Sequence, residues 1–204
     1  MPQLDFNGAL SKVSCDKLAS QSGTTVELTA GHKITNFAST GIDDNAAGAT
    51  AIVISADEEV TMPLQPAFSV KLDAADQNNI AVGSDVTILF DSEVFDVNAD
   101  FNTGTYTFTA PVTGKYQLNA DVRFIDIDSA ADFYYMGIVT SNRTYTHTIF
   151  DPDFGQDAAH WSLSFSVLAD MDASDTAYVV IYQGGGTQQT DITAESIFSG
   201  YLAC

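Results

Sequence analysis

The sequence predicts an all-β protein, an antiparallel double-sheet jelly-roll sandwich preceded by a short β-rich attachment segment. Three observations carry that expectation. Helix signals are nearly absent; runs rich in Val, Ile, Thr, Tyr and Phe recur from Thr24 onward; and Gly, Asn, Asp and Pro interrupt them at intervals of roughly ten residues, the spacing of short strands in a sandwich.

Taken in order, the predicted strands of the larger part are Ala67–Leu72, Val86–Phe95, Thr105–Thr109, Gly114–Ile125, Phe133–Thr140, Arg143–Phe150, Trp161–Leu168, Ala177–Gln183 and Ser196–Ala203. Alternation fixes two of them best. Tyr116, Leu118, Ala120, Val122 and Phe124 share one face of their strand, while Gln117, Asn119, Asp121 and Arg123 share the other. Trp161, Leu163, Phe165 and Val167 repeat the pattern with serines between them. Pro111 cannot donate to a ladder and ends a strand, and Gly114 is expected to supply the freedom to turn. Gly200 inside the last run predicts a bulge or the close approach of another backbone.

Residues 1–62 read as a separate attachment or shaft segment and 63–204 as the head domain. Thr24–Leu28 and Ala51–Ser55 look like strands, but Gly41–Thr50 is rich in Gly, Ala, Asp and Asn, and bulky apolar residues are too few for an independent core. Met62-Pro63-Leu64-Gln65-Pro66 marks the junction, its two prolines disfavouring regular structure.

Charge narrows the function. The 204 residues hold 7 Lys and Arg against 27 Asp and Glu, a net charge of −20 spread along the chain. Such a surface repels phosphate backbones and anionic lipids, so no nucleic acid is expected as a ligand. No apolar run reaches the roughly 18 residues of a membrane span, so no membrane insertion is expected. The start, MPQLDFNGALSKVSC, lacks the basic and apolar regions of a secretory signal, and the expectation is a protein made in a reducing cytoplasm. Cys15 and Cys204 are read as two unpaired thiols, with an end-to-end or intersubunit bridge as the alternative.

Several strings resemble the globular head of complement component 1q, a ten-strand jelly roll of the tumour-necrosis-factor superfamily. They are Pro66-Ala67-Phe68-Ser69-Val70; Phe90 to Phe95; Asn102 to Tyr116, with Phe108-Thr109-Ala110-Pro111 followed by Gly114-Lys115-Tyr116; Asp172 to Val179; and Ser196-Ile197-Phe198-Ser199-Gly200-Tyr201-Leu202. The front portion, about residues 20–62, is similar instead to segments of bacteriophage tail-fibre and virion-appendage proteins. Thr24 to Ile34, Gly41-Ile42-Asp43-Asp44-Asn45-Ala46 and Thr50 to Val60 carry that resemblance.

No catalytic constellation is visible, and no enzyme is expected. His32, His147 and His160 lie in unrelated contexts; no Gly-x-Ser-x-Gly elbow or His-Glu-x-x-His occurs; and Gly184-Gly185-Gly186 follows a strand with no Lys after it, so it reads as a loop. The Asn142-Arg143-Thr144 sequon has no meaning without secretion. No cofactor is expected beyond calcium. Three acidic loops (Asp126, Asp128 and Asp132; Asp151, Asp153 and Asp157; Asp170, Asp172 and Asp175) offer the oxygens a calcium ion takes, and members of the resembled family bind calcium near the trimer axis. None fits the twelve-residue calcium loop, and turn formation is the plainer reading. Asp151, Asp153 and Asp157, with the rigid Pro152, are the metal candidates. In Phe133-Tyr134-Tyr135-Met136, neighbouring side chains point to opposite faces, so one of Tyr134 and Tyr135 must leave the core. These two are the candidate trimer contacts, because the resembled family buries such residues between protomers.

The resemblances imply a homotrimeric structural virion protein of a bacteriophage, a tail fibre, appendage or capsid decoration assembled in the host cytoplasm. The front segment would hold other virion structural proteins, and the head would face outwards for adhesion, host-surface receptor binding or reinforcement. The alternative is a non-viral bacterial ligand-binding or adhesive module using the same head.

Overall fold

The computed structural model describes residues 52–73 and 75–204, apart from the side chains of residues 146–148. Thr24–Leu28, Cys15 and His32 lie outside the described residues, with most of the front segment. A small antiparallel hairpin, β1 (Val53–Ile54) and β2 (Val60–Thr61), precedes the head. The head is built from β3 (Ala67–Lys71), β4 (Asp85–Thr87), β5 (Ser92–Asp96), β6 (Phe101–Asn102), β7 (Thr107–Thr109), β8 (Gly114–Ile127) and β9 (Phe133–Thr140). After them come β10 (Thr144–Phe150), β11 (Ala158–Met171), β12 (Thr176–Gly184), β13 (Asp191–Ile192) and β14 (Ile197–Leu202).

Two antiparallel sheets result. One runs β10-β9-β12-β7-β6, with β4 also on β12; the other runs β11-β8-β14-β3-β5, with β13 also on β8. The chain crosses repeatedly between the two sheets, as from β3 to β4, β4 to β5, β7 to β8, β10 to β11 and β11 to β12, in the manner of a jelly roll. The alternation in β8 dictates which face meets the partner sheet: Tyr116, Leu118, Ala120, Val122 and Phe124 are all buried. They face Tyr134, Met136, Ile138, Val179 and Ile181 of the opposite sheet within the same core cluster. Phe68 lies at one focus of that core, its ring centroid 4.6 Å from Phe108, 5.1 Å from Phe198 and 5.4 Å from Phe101. Burying one such ring is worth about 1.5–3 kcal/mol over leaving it in water.

The run Val86–Phe95, expected as one strand, divides between the sheets. β4 pairs with β12 in one, and β5 with β3 in the other. Between them Ile88 and Phe90 are both fully buried, so the chain crosses the core here instead of following a ladder. Its backbone is satisfied partly by β12, the Ile88 N–H donating to the Val179 carbonyl (3.0 Å), and partly by a side chain: the Gln77 amide donates to the Thr87 carbonyl (3.0 Å) and accepts from the Leu89 N–H (3.1 Å).

Two glycines act through space rather than conformation. Gly200 is paired regularly with both Phe68 and Leu118, so it is no bulge. A Cβ there would stand 2.7 Å from Leu118, 2.8 Å from the Phe68 ring and 3.0 Å from the Gln117 carbonyl. At Gly114 a Cβ would meet Leu202 at 2.5 Å and the Cys204 carbonyl at 2.6 Å, so this position needs room and not the turning freedom expected of it. That crowding reflects how the ends of the head meet. The Leu202 N–H donates to the Pro66 carbonyl (3.0 Å) and the Lys115 N–H to the Cys204 carbonyl (2.7 Å), bringing the junction beside the last strand.

Candidate functional site

The informative features of the head are surfaces. β11 contributes outward-facing Ser162, Ser164 and Ser166 because Leu163, Phe165 and Val167 take the inward positions. β8 adds Gln117 and Asn119 alongside, and β14 adds Ser199. A hydrogen-bonded set ties the centre: Gln117 Nε2 donates to Ser166 Oγ (2.7 Å), and Ser166 Oγ donates to Asn119 Oδ1 (2.8 Å). A shallow depression of about 330 Å³ lies here between Asn119, Ser164, Ser166, Ile197 and Ser199. Ile197, Leu168 and Tyr201, the last 49% exposed, surround this short polar centre with apolar groups.

A second patch lies at the open edge where β10 and β11 end the two sheets. Phe150, Phe154 and Trp161 stack there, with Trp161 centroids 5.4 Å from Phe150 and 5.1 Å from Phe154. Phe150 in turn stacks on buried Tyr134 at 5.1 Å with the rings 9° from parallel, so the aromatics run from core to surface. Trp161 remains 38% exposed. Sequence alternation placed Trp161 correctly on the inward face of its strand. Its exposure follows from having no strand beyond it to complete the sandwich.

The two tyrosines expected as trimer contacts differ in burial. Tyr134 is 0% exposed, and its hydroxyl accepts from the Asp128 N–H (3.1 Å) and bonds Thr190 Oγ1 (2.7 Å). A side chain consumed by its own core offers nothing to a neighbour, which removes Tyr134 from the candidate pair. Tyr135 is the one that leaves the core. It lies on the outward face of the sheet opposite the serines, stacked on Tyr182 and donating to Asp85. Burial, then the bond to Asp85, pushes its phenol up to about 12.

The acidic loops are occupied by their own backbone and side chains. Asp157 accepts from the Ser129 N–H and hydroxyl (3.0 and 2.8 Å) and from Gln189 Nε2 (2.8 Å), and these bonds, Gln189 first, hold its carboxyl below the usual range. Asp151 and Asp153 stand exposed on either side of buried Pro152. Among the described residues no three His, Cys, Asp or Glu converge on a metal position. The calcium site expected at Asp151, Asp153 and Asp157 is therefore not assembled, because the third carboxylate is turned to the β13 approach. Asp128 is buried and accepts from the N–H groups of Ala130 and Thr187, while Asp170 pairs with Lys115 and, at 3.8 Å, with Arg143. Asp175 accepts from the Asp172 N–H (2.7 Å) and Asn142 Nδ2 (2.6 Å). Of the histidines, His160 is exposed on β11, and the side chain of His147 lies outside the described residues. The thiol of Cys204 is free and exposed.

Sheet order, core and surfaces together define a jelly-roll domain whose chemistry lies in what its faces can cover. The family model for the C1q domain matches residues 67–203, and the chain belongs to that family. Among solved structures, the globular domain of zebrafish complement 1qA protein is similar over 69% of this chain and 98% of its own, at 17% identity and a TM-score of 0.49. Murine APRIL, in its crystal structure at pH 8.0, is similar over 68% of this chain and 98% of its own, at 11% identity and a TM-score of 0.48. No curated protein matches.

Proposed function

We propose that the chain is the protomer of a homotrimeric, non-enzymatic adhesion or recognition head, and that it serves as a structural virion protein of a bacteriophage. In this reading residues 1–62 attach to other virion structural proteins, and the head of a fibre, appendage or capsid decoration faces outwards to reinforce the particle or meet a host-surface receptor. Family membership supports the trimer and the adhesive role. The virion part rests on the resemblance of the front segment to phage appendage proteins.

The observation that carries the assembly is the pair of unlike patches on one protomer. The serine face is short-chained and rimmed by Ile197, Leu168 and Tyr201, and the β10/β11 edge projects Phe150, Phe154 and Trp161. An edge that docks on the face of the next copy makes a head-to-tail contact, and such contacts close into a ring when the rotation is right. Small outward side chains allow close approach, and the aromatics bring the apolar area that subunit contacts favour. Three heads then act together, so weak contacts add through a shared effective concentration.

Light scattering of the full chain tests the assembly. Three copies of 21.7 kDa give about 65 kDa, and a single mass of 21.7 kDa ends the trimer. Mass spectrometry of purified particles tests the virion reading separately. A trimer absent from particles favours the second reading, a non-viral ligand-binding or adhesive module. The family match supports that reading equally, since it covers the head alone.

A further inference from the structure

The outward face of the β10-β9-β12-β7-β6 sheet carries an arrangement that neither patch uses. Phe133, Tyr135 and Tyr182 form a stack of nearly parallel rings. Tyr135 and Tyr182 are 4.9 Å apart and 2° from parallel, and Phe133 lies 5.5 Å from Tyr182 at 17°. Register explains the order: Tyr135 sits opposite Tyr182, and Tyr182 opposite Asp85. The Tyr135 phenol therefore crosses β12 to donate to the Asp85 carboxylate on β4. Phe133 covers Gly184, where a Cβ would come within 2.8 Å of the ring. Exposed Asp132 precedes Phe133, and Ile149, 65% exposed, stands opposite Tyr135.

The face thus combines flat aromatic surface with carboxylates at Asp85 and Asp132. Thr87, Gly137, Val139 and Val180 lie between or beside these positions and contribute no positive charge. One phenol bond leaves most of the acceptor capacity of Asp85 free, because an ionised carboxylate has about four lone-pair sites. Anions are disfavoured at a chain of net charge −20. A planar cation suits both halves of the site: guanidinium stacks on aromatic rings and forks two N–H groups to a carboxylate, whereas a compact ammonium cannot do both at once.

We propose that this face binds an arginine side chain presented by a partner protein, its guanidinium laid on the Tyr135, Tyr182 and Phe133 stack and paired with Asp85. The site is complete within one protomer and depends on neither the trimer nor the virion reading.

The test is calorimetric titration of the full chain at 150 mM salt with two peptides of equal charge, Gly-Arg-Gly-Arg-Gly and Gly-Lys-Gly-Lys-Gly. The arginine peptide is expected to bind at least fivefold more tightly, and Asp85→Asn and Tyr182→Leu are each expected to abolish that preference. Asp57→Asn, which removes one charge from the exposed β1–β2 turn, is expected to leave it unchanged. Equal affinity for the two peptides, no measurable binding, or an Asp57→Asn effect as large as that of Asp85→Asn overturns the proposal. If Tyr182→Leu does not fold, the exposed Asp85→Asn variant decides alone.

Discussion

The hydroxyls of Tyr134 and Thr190 meet 2.7 Å apart inside the head, joining β9 to the approach of β13. The chain of bonds is directional. The Asp128 N–H donates to Tyr134, Tyr134 donates to Thr190, and Thr190 donates to the Asp126 carbonyl at 3.3 Å. Tyr134→Phe keeps the ring but leaves a buried N–H without its acceptor, so a loss of about 1–3 kcal/mol is expected. Urea denaturation of the variant, read as a lower midpoint at unchanged slope, checks it.

Gly200→Ala probes the space between β3 and β8. Its Cβ would press on Leu118, on the Phe68 ring and on a backbone carbonyl that cannot give way easily. Overpacking of this kind costs about 1–3 kcal/mol. The expected outcome is a lowered thermal midpoint with the β-sheet circular dichroism intact.

Tyr135 gives the stability a signature at high pH. Its phenol titrates near 12 in the folded chain and near its ordinary value of 10 in the unfolded one. A group whose folded value is raised contributes fully below the unfolded value and loses that contribution as pH climbs to the folded one. Stability is therefore expected to fall between pH 10 and pH 12. Denaturation midpoints of Tyr135→Phe across that window should show a shallower decline than those of the parent.

Chelation distinguishes the acidic loops from a metal site. Asp157, Asp128 and Asp175 are already bonded to groups of their own chain. Adding EDTA is expected to leave the thermal midpoint unchanged. A drop reversed by calcium would show that a cation contributes to the fold.

How much of this was legible in the sequence depended on whether the signal was local. The alternation of Tyr116 through Phe124 located β8 and its buried face because period-two spacing is written in adjacent residues. Val86–Phe95 misled for the same reason: its apolar density is that of a strand, while the crossing is set by Gln77 and by partners in two sheets. The Tyr134–Tyr135 step showed that one ring must leave the core, but which one depends on Thr190, 56 residues away. The Asp85 partner of Tyr135 and the Gln189 partner of Asp157 are likewise long-range, and carry no mark in the local pattern. The edge cluster of Phe150, Phe154 and Trp161 left a faint trace, a run of bulky aromatics around the turn into β11.

The assembly through the serine face is tested most directly by comparing the solution mass of the parent with that of Ser164→Glu. Ser164 is exposed at the depression on β11, so the substitution changes the face without touching the core. The parent is expected at about 65 kDa and the variant at 21.7 kDa, with matching circular dichroism. A variant that keeps the parent's mass, or a parent that is itself a single chain, contradicts that assembly.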